Sequence, residues 1–175
     1  MKKIKQLGKI AFLALALSFG SCSSDDGGGS TGGSAASGTI KANVAGKSIT
    51  TASQATFATR SGAFLSINGT TMGQEALGII IYNFTGEGTY DVITGNDLGA
   101  VFSYTKIDLS NPMSTSNTWT APLDETTGTS GTVTVTEITD TDVKGTFSFK
   151  GINDLGTYKE VKNGAFNVKI QQSNQ

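Results

Sequence analysis

The residues in this chain that could carry out chemistry are few. The 175-residue sequence contains no histidine and a single cysteine, Cys22. Without histidine, both a Ser–His–Asp triad and a Cys/His zinc site are excluded. A serine nucleophile would need a lysine as its base, and no Ser-x-x-Lys motif falls on a predicted strand-to-helix turn. A serine or cysteine hydrolase is therefore not expected.

Carboxylates remain, because two suitably spaced acids are enough for glycoside hydrolysis. The acids here fall mostly in predicted turns, where they normally hydrogen-bond the local backbone. Asp140-Thr141-Asp142 offers two carboxylates, but a calcium site needs about six to eight oxygens, so a β-turn is preferred. We predict a protein that is not an enzyme and has no cofactor or metal; a glycosidase-like hydrolase is the alternative. The turn acids are Asp97, Asp124, Glu125, Asp140, Asp142 and Asp154.

Aromatic side chains are the other candidates for a binding site. Trp119 and Tyr104 lie in or beside the irregular region 106–124, which contains both prolines. Their rings are candidate ligand-binding residues, because an aromatic face can stack on a sugar. Alternatively, a lone tryptophan in a β-domain covers one end of the hydrophobic core. Five phenylalanines fit core positions: Phe57, Phe102, Phe147, Phe149 and Phe166.

Two-residue alternation of apolar and polar side chains predicts the elements that position these residues. Residues 131–170 contain three such runs separated by turns, a β-meander that needs a second layer over its apolar face. Within it, Asn163-Gly164 fits either a hairpin turn or, as we prefer, a β-bulge in one long strand. Earlier strands supply the second layer, and the most apolar of them is 76–82, ALGIIIY. We predict one all-β domain over residues 39–171, an antiparallel β-sandwich or flattened barrel of about 8–10 strands.

A leader precedes this domain. Residues 1–21 have a basic start, an apolar run from Ile10 to Leu17 and small residues before Cys22, which is a secretory signal pattern. The apolar run is shorter than the roughly 20 residues that span a bilayer. An ordinary signal peptide with an incidental cysteine is the alternative, but Cys22 stands where cleavage should fall.

The segment Phe19-Gly20-Ser21-Cys22 resembles the lipobox of bacterial lipoproteins, although it lacks their usual leucine three residues before the cysteine. The resemblance implies a diacylglyceryl thioether on Cys22 and an amide-linked acyl chain such as palmitate. Several acyl chains together hold a protein on a membrane effectively permanently. Cys22 is therefore the predicted lipidation site, and the membrane is the first predicted partner.

Residues 22–38 continue from the lipidated cysteine as a Gly/Ser-rich tether with an average reach of roughly 20–24 Å. Its first polar residues are either solvated linker charge or, by resemblance, the surface-export signal of Bacteroidota lipoproteins. The resemblance implies an outer-membrane protein displayed at the cell surface. The export-signal residues are Ser23, Ser24, Asp25 and Asp26.

Charge excludes one class of partner. Four of the 13 basic residues precede Cys22 and all 14 acidic residues follow it, which leaves a net charge of -5 after the leader. Contact with a phosphate backbone requires a basic surface. Nucleic acid is therefore not expected as a partner.

The segments IIIYNFTGEGTY, GTVTVTE, VKGTFSF and NGAFNV are similar to those of a family of small uncharacterised lipoproteins in Bacteroidota, especially flavobacteria. The resemblance covers residues 39–169 and implies the fold and the location, with no activity attached. We expect a non-enzymatic structural or binding module, with a glycan or another surface protein as its partner. The alternatives are a carbohydrate-binding or adhesion module using the loop 106–123 and a lipocalin-like binder of small ligands.

Overall fold

The structure, a computed structural model, describes residues 33–92, 99–111, 114–121 and 129–171. These residues form eleven β-strands and one short 3₁₀ turn at Ser53–Ala55. Within the same ranges, no helix has the length and apolar character needed to cross a membrane. The strands are β1 (Thr39–Val44), β2 (Lys47–Thr50), β3 (Thr56–Ser61), β4 (Phe64–Thr70), β5 (Glu75–Tyr82), β6 (Gly88–Asp91), β7 (Ala100–Lys106), β8 (Thr118–Ala121), β9 (Ser130–Ile138), β10 (Asp142–Ile152) and β11 (Tyr158–Gln171).

Hydrogen-bond pairing divides the strands into two layers. One layer runs β2-β1-β11-β10-β9-β6, and the other runs β3-β4-β5-β7-β8. The layers join where Ile170 of β11 pairs in parallel with Ala58 of β3, and again where Ile152 of β10 pairs with Thr120 of β8. The all-β prediction is confirmed, because the described regular elements are strands apart from one short 3₁₀ turn. A sandwich closed along both seams is a flattened barrel, which agrees with the predicted architecture. The eleven strands exceed the expected 8–10 by one, and three of them, β2, β6 and β8, have only four residues each.

The C-terminal meander contains the predicted bulge. β10 lies between β9 and β11, and β11 is one continuous strand. Phe149 pairs with Val161 but Phe147 pairs with Gly164, so β11 has one residue more than β10 in this interval. Asn163 takes a left-handed conformation with a φ of 52°, which asparagine tolerates better than most residues. The bulge is therefore confirmed, and the hairpin turn at this position is not formed.

The core lies between the two layers and is filled by large side chains. Phe102 of β7 stacks on Phe149 of β10 with ring centroids 5.2 Å apart. Fully burying side chains of this size contributes roughly 1.5–3 kcal/mol each. The largest fully buried residues are Phe102, Phe166, Ile40, Leu65, Ile67, Ile79, Ile81, Val133, Val135, Val143, Val161 and Val168.

Phe57 corrects one core prediction. Its neighbours Thr56 and Ala58 are both buried, so alternation along β3 turns Phe57 to the outer face, where it is 36% exposed. The prediction of a core position is wrong for this residue and right for the other four phenylalanines. Strand alternation rather than apolar character decides which face a residue occupies.

Candidate functional site

One carboxylate is deeply buried in the described part of the protein. Glu75, the first residue of β5, is 5% exposed and is the only charged side chain among the buried polar residues described. The Tyr104 hydroxyl donates a 2.8 Å hydrogen bond to its Oε1, and Lys47 Nζ lies 3.1 Å from its Oε2. A buried charge is tolerated only when it is paired and hydrogen-bonded, and these two partners meet that requirement.

Strand alternation brings these three side chains together. Glu75 is two positions from the buried Leu77 and therefore lies on the same face of β5, pointing between the layers. Tyr104 lies on the neighbouring strand β7, directly opposite Leu77. Lys47 begins the edge strand β2 of the other layer, so the ion pair spans the two layers at one end of the barrel. An inward-pointing charge on a short edge strand also discourages pairing with other chains.

The local electrostatics hold the Glu75 carboxyl and the Tyr104 hydroxyl each in a single protonation state. Burial raises the pKa of Glu75, but the hydrogen bonds from Tyr104 and Lys47 and the charges of Lys47 and Lys106 outweigh it, so the net pKa lies below the ordinary value. Burial and the hydrogen bond to Glu75 raise the pKa of Tyr104. At neutral pH Glu75 stays ionised and Tyr104 stays protonated, which describes a fixed contact rather than an acid–base pair.

The structure brings the two predicted ligand-binding aromatics together but buries them. Tyr104 and Trp119 are opposite each other on β7 and β8, with ring centroids 5.8 Å apart. Trp119 Nε1 donates to Thr157 Oγ1 at 3.2 Å, and Lys159 Nζ lies 4.2 Å from the centre of the Trp119 ring. Tyr104 is 2% exposed and Trp119 is 7% exposed. Sugar stacking needs an open ring face, and this arrangement instead matches a tryptophan that covers one end of the core.

A surface groove of about 370 Å³ lies beside this cluster. It is lined by Lys47, by residues 48–52, by residues 71–73 and by Glu75. Both carboxylate oxygens of Glu75 already accept hydrogen bonds from the protein, so little of its binding capacity remains for a ligand. The cluster therefore has the character of a structural contact that closes one end of the barrel.

Among the described residues of β3, β4, β5, β7 and β8, no side chain on the outward face is charged. On it, Phe64 and Tyr82 meet edge to face with ring centroids 5.6 Å apart. We call this surface the uncharged face; it consists of alternate residues of these strands, beginning at Phe57, Phe64, Ala76, Val101 and Thr118. The outward face of the other layer is different, because it carries lysines and acids that form the ion pairs Lys144–Glu137, Lys162–Glu160 and Lys169–Asp142. Depletion of charge is the compositional mark of the centre of a protein interface.

Comparison with known families decides the classification. Residues 37–169 match a family described as a domain of unknown function, DUF6252. The chain belongs to this family. The match begins two residues before β1 and ends two residues before the end of β11. The search of curated proteins and the search of solved structures give no match.

The structure confirms the turn that the sequence of the DUF6252 protein predicts at Asp140-Thr141-Asp142, and several other predicted site residues lie outside the described residues. The Asp140-Thr141-Asp142 segment is a turn between β9 and β10, in which Thr139 Oγ1 accepts the Asp142 N–H at 3.0 Å. Asp97, Asp124 and Glu125 lie outside the described residues, as do Cys22, Ser23, Ser24, Asp25 and Asp26. Among the residues that are described, no group of three acids or cysteines is arranged to hold a metal ion.

Glu75 is the residue that sequence reasoning missed in the DUF6252 domain. The signal was present, because Glu75 continues the alternation of Leu77, Ile79 and Ile81 toward the core. Its partner Lys47 is 28 positions away in the chain, and no local pattern connects the two. An inward acid at the start of an apolar strand therefore indicates that a hydrogen-bonding or charged partner must exist, without identifying it.

The Glu75→Gln variant is expected to lower the unfolding free energy at pH 7 by about 1–3 kcal/mol, because charge-assisted hydrogen bonds are replaced by neutral ones. The pKa of Glu75 is lower in the folded state than its ordinary value of 4.5. Its contribution is thus present above that value and is lost as the pH falls through the folded-state pKa. Urea unfolding of both proteins from pH 7 downward measures this. A difference that stays constant down to acidic pH would show that the ionised contact is absent.

Proposed function

We propose that this DUF6252 protein is a surface lipoprotein of Bacteroidota, anchored in the outer membrane through Cys22. Its β-domain is a non-enzymatic binding module whose contact surface is the uncharged face. The uncharged face is the observation that carries this proposal. Exposed surfaces of soluble domains normally mix apolar and charged groups, and an extended apolar area marks an interaction site. On this face Phe57, Phe64, Ile80, Tyr82 and Val101 lie among neutral polar residues.

The interior supports binding at a surface rather than within a cavity. A lipocalin-like binder needs small residues around a hollow interior, but Phe102, Phe149 and Phe166 fill the space between the layers here. The Glu75 carboxylate is engaged by two protein partners, which argues against a catalytic acid. Trp119 and Tyr104 are buried, so the glycan-binding alternative draws no support from these rings.

The anchor is supported by the leader and the tether. Cys22 follows a signal-like segment that ends in small residues, and a Gly/Ser-rich stretch separates it from β1. A flexible tether lets a folded domain sample orientations above the membrane. Asp25 and Asp26, directly behind the cysteine, are the residues proposed to direct display at the cell surface.

Replacing Cys22 with serine is expected to remove lipid labelling and to release the protein from the membrane fraction. Stable anchoring needs two or more acyl chains. Serine has no sulfur to form the thioether, so the diacylglyceryl group cannot be attached. Incorporation of an alkyne-tagged palmitate and fractionation of cells measure both effects, and we expect at least a tenfold decrease in each. Ser30→Ala in the tether is the matched control, since it leaves both the cysteine and the export-signal residues intact, and it should behave like the parent.

Surface display is tested separately by protease treatment of intact cells. The parent should be digested, whereas a variant with both Asp25→Ala and Asp26→Ala should stay membrane-bound and become protected. A Cys22→Ser protein that remained as firmly bound as the parent would contradict the anchor. A protected parent would contradict surface display while leaving the anchor in place.

A further inference from the structure

We propose that the uncharged face binds a second copy of this chain, in a symmetric dimer in which β5 of one copy lies antiparallel across β5 of the other. The inference rests on the proposed function, because it names what the binding module binds. It makes the protein a self-associating surface component. Three properties of the face favour a second copy over other partners: its charge, the distribution of side-chain size along β5, and its area.

The first property is the absence of charge on the uncharged face. In a symmetric dimer the same patch occurs on both sides, so any charge near the axis faces a like charge, which costs several kcal/mol. A face without charged side chains avoids this repulsion. The opposite layer carries outward charges of both signs, such as the Lys144–Glu137 ion pair, which a two-fold contact would have to desolvate. Of the two outer faces, the uncharged one can meet a second copy without burying charged side chains.

The second property is the order of side-chain sizes along β5. Its outward residues run from small to large, as Ala76, Gly78, Ile80 and Tyr82. Gly78 has no room for a side chain, since a Cβ there would come within 2.6 Å of Ser103 Oγ. The side chains at this end of β5 therefore project little from the sheet. At the other end, the large side chain of Tyr82 packs edge to face against Phe64 on the neighbouring strand. A two-fold axis perpendicular to β5 places the large end of one copy over the small end of the other.

The third property is the area of the uncharged face, which limits the strength of the contact. The five strands contain six, seven, eight, seven and four residues. At about 3.3 Å per residue and about 4.8 Å between strands, they cover roughly 500 Å². Two such faces bury roughly 1,000 Å², which is the lower limit for a specific interface. The dimer is therefore expected to be reversible in solution, and confinement of tethered copies to a membrane raises their effective concentration.

Sedimentation equilibrium of the mature chain carrying Cys22→Ser tests the dimer without lipid. Over roughly 1 µM to 1 mM, the range of weak interfaces, the average mass should rise from one copy toward two. Ile80→Lys places like charges near the axis and should raise the dissociation constant about tenfold or more. Thr146→Lys, on the outward face of β10, is the matched control and should leave the dissociation constant unchanged. Circular dichroism and urea midpoints establish that each variant is folded.

Cross-linking tests the antiparallel arrangement independently of the lysine variants. Ala76 and Tyr82 are about 20 Å apart along one strand, but in the proposed dimer Ala76 of one copy lies over Tyr82 of the other. Chains with Ala76→Cys and chains with Tyr82→Cys, both in the Cys22→Ser background, are mixed with a short bis-maleimide. Mixed dimers should form several-fold faster than either self-linked dimer, and mixing Tyr82→Cys with Ser148→Cys should yield none above background.

The outcomes separate this inference from the proposed function. A chain that stays monomeric over the whole range overturns the dimer, as does a dimer that Thr146→Lys weakens equally. Cross-links that favour identical positions overturn the antiparallel arrangement. Binding of glycans or lipid vesicles by a strictly monomeric chain would assign the uncharged face to a different partner and overturn self-association. None of these results affects lipid labelling of Cys22, which tests the anchor alone.

Discussion

The Gly145→Ala variant is expected to lose about 3 kcal/mol of unfolding free energy, because its added Cβ overpacks the space between two neighbouring strands. Gly145 lies in β10 opposite Val135 of β9 and Phe166 of β11. A Cβ at this position would overlap the Thr134 carbonyl oxygen and the edge of the Phe166 ring. Phe166 is 1% exposed, so its ring has no free space into which to move. For a domain of ordinary stability, a loss of this size is a large share of the total.

Urea unfolding monitored by tryptophan fluorescence measures the change in unfolding free energy. Gly73→Ala is the matched control, because the nearest atom to its added Cβ would be Thr71 Oγ1 at 3.6 Å, an ordinary contact distance. The control should change the unfolding free energy by no more than about 0.5 kcal/mol. Equal midpoints for the two variants would mean that β10 does not pass between β9 and β11 as described.

The Phe102→Ala variant is expected to lose about 3–5 kcal/mol, the range found for deleting a buried aromatic ring. Phe102 is 0% exposed and stacks on Phe149 from the opposite layer. Removing its ring leaves a cavity between the layers, and the loss grows with the part of that cavity that cannot collapse. Because the contact joins the two layers, it tests the layered architecture directly.

Phe57→Ala makes the same chemical change on the outside of the barrel and serves as the comparison. Phe57 is 36% exposed, so its removal forms no enclosed cavity and should cost less than about 1 kcal/mol. Both variants are measured in dilute solution by chemical unfolding, where association through the uncharged face contributes little. Similar losses for the two variants would contradict the assignment of Phe57 to the outer face.

Much of the fold follows from local sequence patterns. Alternation in residues 131–170 predicts the meander, because a strand places neighbouring side chains on opposite faces whatever surrounds it. The pair Asn163-Gly164 fits either a hairpin turn or a bulge. The turn already available at residues 151–156 favours the bulge. Phe57 shows the limit of judging a residue by its type, since the alternation of β3 overrides its apolar character.

The candidate sites were less accessible to sequence reasoning. Tyr104 and Trp119 were selected by type, and the structure adds that they face each other and are buried. Whether a ring is open to a ligand depends on which strands cover it, and strand order is a long-range property. The Glu75–Lys47 contact was missed for the same reason, because it joins strands from two different layers.

The amino-acid sequence by itself determined the all-β class and the inward or outward direction of most strand residues, because these properties depend on neighbours one or two positions away. Only the tertiary structure decided that the outward residues of five strands form one uncharged face and that a lysine from β2 reaches Glu75. Such groupings depend on which distant strands pair. Pairing is set by packing of the whole core, not by the residues of any one strand.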